Sequence, residues 1–113
     1  MPGKLDKKVQ AELEAFKARY LENLHKRFTA IEEAWAELRA DPADRARLET
    51  LARLAHSLAG SSGLLELHAL RDAARELEGA LDGLAAAGQP VDVASARRIE
   101  GLVAALRACA PAS

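Results

Sequence analysis

Leu48, Leu51, Ala55, Leu58, Ser62 and Leu65 follow one another at intervals of 3, 4, 3, 4 and 3 residues. This spacing brings side chains back to one face of an α-helix. Only Ser62 is polar in that row. Leu67, Leu70, Ala74, Leu77, Leu81 and Leu84 repeat the intervals, and Ile99, Leu102, Leu106 and Cys109 repeat them again over a shorter span. Leu21, Leu24, Phe28, Ile31, Trp35 and Leu38 make a fourth such row. Each segment therefore predicts a helix with one buried stripe. Ahead of the fourth row, Leu5, Val9, Leu13, Phe16 and Tyr20 run in a phase that does not match it, so the buried face is expected to shift near Tyr20.

Punctuation divides the rows consistently. Asp41-Pro42 is a helix-start signal, with Asp able to cap free amides and Pro tolerated at the first helical position. Ser61, Ser62 and Gly63 form a small-residue cluster where a second turn is expected, and Gly88-Gln89-Pro90 stops a third helix before Asp92 offers a cap for a fourth. The expectation is a single domain over 1–113, all-α, an antiparallel up-down four-helix bundle. Its helices are placed at about 5–39, 43–62, 67–87 and 92–109. The first is one long helix, or two nearly continuous ones, with its N-terminal part overhanging the bundle. Gly79, Gly83 and Gly101 lie inside helical segments, where each costs about 1 kcal/mol relative to Ala; close contact between helices is expected to offset that cost.

Composition agrees and narrows the chemistry. Ala and Leu fill 44 of 113 positions against 8 for Val, Ile and Thr together, which excludes a large sheet. The 16 Lys and Arg against 17 Asp and Glu leave no basic stripe, and four aromatic residues give few stacking platforms, so nucleic acid is not an expected partner. No apolar run reaches the roughly 20 residues that cross a bilayer, and Met1 to Gln10 lacks a signal-peptide core. The single Cys109 cannot form an internal disulfide. A cytoplasmic location is expected, and a complete bundle predicts a monomer.

Three histidines are spread over separate segments, which argues against a metal site. Glu32-Glu33 and Asp72-Glu76 fit solvent faces better than catalysis, and Ser57, Ser61 and Ser62 have no Ser-His-Asp arrangement around them. His25 and His68 read as surface residues. His56 differs. It sits just off the seam of the second helix, between Ala55 and Leu58, and so should project into solvent, while Gly60 one turn later leaves the surface beside it bare.

The run His56-Ser57-Leu58-Ala59-Gly60-Ser61 resembles the His-x-Leu-(Lys/Ala)-Gly-Ser/Ala signature of histidine phosphotransfer (HPt) domains, the carriers of multistep two-component phosphorelays. Leu70, Ala73-Ala74 and Leu77-Glu78 resemble the family's next helix, and Tyr20-Leu21-Glu22 with Arg27-Phe28 its first; the likeness spans roughly residues 13 to 108. It implies that His56 accepts a phosphoryl group from a receiver-domain aspartate and passes it to another receiver. The partners implied are response-regulator receivers or a hybrid sensor histidine kinase, with Mg²⁺ in the receiver and no cofactor on this chain. A neutral imidazole offers the nucleophilic lone pair. No P-loop or kinase glycine-rich loop is present, so the chain is expected to carry phosphate without being a kinase or phosphatase.

Two positions depart from the family pattern. Ala59 stands where many members have Lys, and Glu66 where Gly is common. Arg53, three residues before His56, is a candidate for the missing charge, with Ala59 and Gly60 completing the phosphoryl environment. Tyr20, Leu24 and Ala59 are candidates for receiver docking; the alternative for Tyr20 is a core ring with its hydroxyl at the edge. The competing function is a helical adaptor or degenerate HPt domain that binds receivers without being phosphorylated. The phosphoacceptor region of a sensor kinase fits less well, because its histidine is usually followed by an acidic residue and Ser57 follows here.

Overall fold

The computed structural model describes residues 4–111, with the side chains of Lys4 and Leu5 outside the described residues. Four helices run α1 Lys4–Ala40, α2 Arg45–Leu64, α3 His68–Ala87 and α4 Val93–Ala108, and there is no strand among the described residues. Cross-helix pairs give their directions. Tyr20 meets Ser61 while Glu37 meets Arg47, and Gly63 meets Arg71 while Arg45 reaches Ala85. Trp35 meets Glu100 while Glu32 meets Arg107. Each adjacent pair is thus antiparallel, with α1 and α3 each flanked by α2 and α4.

The predicted rows become the core. Leu38, Leu51, Ala55, Leu77 and Leu81 are fully buried, and Ile31, Leu58, Leu70, Ile99 and Leu106 nearly so. At about 25 cal/mol per Å² of apolar surface removed from water, each large side chain among them contributes roughly 1.5–3 kcal/mol. Ser62 is wholly buried in the same row. Its hydroxyl is not orphaned, because the Tyr20 hydroxyl reaches it at 3.1 Å, which removes the penalty of an unpaired buried group.

Two joints differ from the expected ones. Asp44, not Asp41, caps α2: its carboxylate accepts from the Arg47 amide at 3.2 Å, while the Asp41 amide still donates to α1 carbonyls. Ser61-Ser62-Gly63 does not form a turn; α2 runs through it to Leu64. These small residues serve close packing, since a Cβ added at Gly63 would stand 3.1 Å from Arg71 Cδ. The chain reverses instead at Glu66, whose φ is +59°. Leu67 N–H donates to Ser62 C=O and Glu66 N–H to Gly63 C=O, the paired closure of a Schellman motif with Glu where Gly is usual. Gly88, with φ +67°, ends α3, and Asp92 caps α4 through the Ser95 amide, which holds its carboxyl below the usual range.

The intrahelical glycines also depart from expectation. A Cβ at Gly79, Gly83 or Gly101 would have nothing within 4 Å, so no close helix contact offsets their cost. α1 is one continuous helix of 37 residues, about 55 Å long at 1.5 Å per residue. It overhangs the bundle as anticipated: Val9, Leu13 and Phe16 are exposed, and burial begins at Tyr20 because the neighbouring helices end there.

Candidate functional site

His56 lies two turns before the end of α2, at the edge of its buried stripe that faces α3. Its side chain is 75% exposed. Nδ1 is 2.6 Å from Glu78 Oε2 on α3. A carboxylate can only accept, so Nδ1 carries the proton and donates it to Glu78, leaving Nε2 as the ring nitrogen with a lone pair. Glu78 is itself largely covered, with 24% of its side chain exposed, and α3 holds it in place because Leu77 beside it is locked in the core. The imidazole thus has one nitrogen tethered and the other without a hydrogen-bond partner among the described residues.

Glu78 was visible in the sequence only as the last residue of a family-like pattern. Nothing in the spacing of α2 or α3 shows that it meets His56, because the contact depends on how the two helices are set against each other.

Gly60 is exposed, one turn after His56, and a Cβ there would meet nothing within 4 Å. No packing inside this molecule requires the glycine. Arg53 is also exposed, one turn before His56, and makes no ion pair among the described residues.

The structure corrects the other three candidates. Tyr20, Leu24 and Ala59 are 8, 4 and 4% exposed and belong to the core, so none presents a surface for docking, and Ala59 is covered rather than lining the space around the imidazole. The phase change that suggested an exposed Tyr20 marks where the bundle begins, and the ring lies on its inside. The Tyr20 hydroxyl bonds Ser61 Oγ at 2.8 Å as well as Ser62, and Arg27 lies over the ring with its guanidinium carbon 5.2 Å from the centroid. A groove of about 350 Å³ between α1 and α2 is lined by Asn23, Lys26, Arg27 and Ala30 on one side and by Leu54 and Ser57 on the other. Lys26 and Arg27 place two cations in its lining.

The remaining histidines stand apart from this site. His68 is exposed, and His25 Nδ1 accepts from Arg107 in a cluster with Glu32 on the α1–α4 side. No group of three or more potential metal-ligating side chains gathers among the described residues. Cys109 is a half-buried free thiol.

Among known protein families, the Hpt domain matches residues 15–109 of the chain. No curated protein and no solved structure matches it.

Proposed function

The chain belongs to the Hpt domain family, and on that premise we propose that His56 takes a phosphoryl group from the aspartyl phosphate of one receiver domain and delivers it to the aspartate of another. The observation that carries this reading is the exposed imidazole whose Nδ1 is held by Glu78. Nε2 attacks phosphorus in line. The new N–P bond forms as the P–O bond to the aspartate breaks, and that carboxylate departs with the electron pair. Nδ1 keeps its proton, so the phosphorylated ring is cationic and Glu78 lies beside it as counter-charge. The reverse sequence unloads the group onto the second receiver.

The chain's own contribution is positioning. Glu78 selects the tautomer and fixes the ring plane, Gly60 leaves room for a partner's backbone, and Arg53 supplies positive charge near the transferred group in place of the lysine absent at position 59. Mg²⁺ belongs to the receiver, which stabilises the charge developing on the phosphoryl oxygens. The domain is a phosphoryl carrier without kinase or phosphatase activity of its own, working with response-regulator receivers or a hybrid sensor kinase in the cytoplasm. No helix among the described residues is long and apolar enough to cross a membrane.

The test is incubation with receiver domains charged from radiolabelled acetyl phosphate. An acid-labile, base-stable label on the chain that is lost in His56→Gln is the expected result. Receiver binding without label would make the chain an adaptor and end the carrier reading.

A further inference from the structure

α1 outruns the bundle. Every residue from Asp6 to Arg19 is exposed, although Val9, Leu13 and Phe16 lead into the row that becomes core at Tyr20; they keep 51, 61 and 47% of their surface in water. Leu64, at the end of α2, is 78% exposed and shares with Leu13 a groove also lined by Gln10, Lys17 and Leu65. The molecule exposes 7317 Å², whereas a compact chain of this mass exposes about 6,000 Å².

Val9, Leu13 and Phe16 are spaced 4 and 3 residues apart, the spacing of a coiled-coil seam, which ends where Tyr20 enters the core. We infer that two copies of this chain pair through it, with the projecting helices antiparallel and each covering the other's Leu64. Orientation follows from the fold. Beyond Tyr20 the same side of α1 carries the rest of the bundle, so a parallel partner would drive its bundle into the first, whereas antiparallel helices put the two bundles at opposite ends. The charge pattern fits that orientation. With Val9 level with the partner's Leu13, Asp6, which flanks the seam, comes within one residue of level with the partner's Lys17 on the same flank.

The area is sufficient. Free side chains of this size expose on the order of 150–200 Å², so Val9, Leu13, Phe16 and Leu64 leave about 400 Å² of apolar surface per copy, as large as a functional patch on a monomer. With the polar flanks, two copies bury on the order of 1,200 Å², the lower range of specific interfaces. Two-fold pairing uses the same patch on both copies and closes at two. His56 stays free, because it lies eight residues before Leu64 on α2, about 12 Å along the axis. The pairing is independent of phosphotransfer and gives one particle two separate imidazoles.

Sedimentation equilibrium of the full chain from about 1 to 500 µM tests it. The expected result is a concentration-dependent rise from 12.1 kDa to twice that mass. Leu13→Glu and Leu64→Glu should each weaken association at least about 30-fold while the thermal unfolding of the bundle is unchanged, since both side chains lie outside the core. Lys17→Glu should weaken it too, and adding Asp6→Lys should restore it. A monomer at every concentration, growth beyond two copies, a dimer indifferent to Leu13→Glu, or charge reversal that restores nothing would each overturn the inference.

Discussion

Gly60→Ala should make the protein more stable and a worse carrier. Gly60 is helical, exposed and outside the positive-φ residues, and a Cβ there has nothing within 4 Å. Replacing it removes the entropic cost of a mid-helix glycine, about 0.5–1 kcal/mol, without introducing a clash. For a domain of this size that raises Tm by about 3–6 °C. The same methyl occupies the bare surface one turn from His56. If a receiver's backbone packs there, overfilling that contact costs about 1–3 kcal/mol, which slows transfer roughly 5- to 150-fold. Thermal unfolding and the rate of transfer from a charged receiver measure the two effects separately. Phosphoramidate, a donor too small to touch Gly60, should label His56 in the variant at the wild-type rate. Gly83→Ala and Gly101→Ala, at equally open positions, should give the stability gain alone. A Gly60→Ala protein that is stabilised yet transfers normally would refute close approach at this surface, and one that is not stabilised would refute the open space.

Three further outcomes follow from other parts of the molecule. Tyr20→Phe leaves Ser62 buried without its 3.1 Å partner, so it should cost about 1–2 kcal/mol in urea unfolding; a neutral result would mean that Ser62 bonds elsewhere. Glu66→Gly relieves a left-handed residue at φ +59° and should stabilise by about 1 kcal/mol, read as a higher denaturant midpoint with unchanged slope. The third outcome concerns pH. Arg107 donates to both oxygens of Glu32, at 2.7 and 2.9 Å, and its hydrogen bonds hold that carboxyl below its ordinary 4.5. A carboxyl lowered on folding contributes stability that is fully present above the unfolded value and is lost as pH falls through the folded one. Arg107→Gln should therefore flatten the fall in the denaturant midpoint as pH drops below 4.5, and an unchanged acid limb would show that the pair contributes nothing.

The sequence alone determined four helices, the stripe each buries and the outward placement of His56. A 3.6-residue period marks faces within one helix irrespective of its neighbours, and the seam around Ala55 and Leu58 leaves position 56 little choice. Gly88 and Asp92 were legible as joints because left-handed backbone and amide capping favour those residue types. Glu66 was not, because it adopts a glycine's conformation without being one, and the small cluster at Ser61 to Gly63 imitated a turn while packing against α1 and α3. Only the tertiary structure decided what covers each face. It brought Glu78 to His56 across 22 residues of chain, sank Tyr20, Leu24 and Ala59 into the core, and left Val9, Leu13 and Phe16 in water. An apolar row is buried only as far as a neighbouring helix extends along it, and the length and setting of that neighbour are absent from the row's own periodicity.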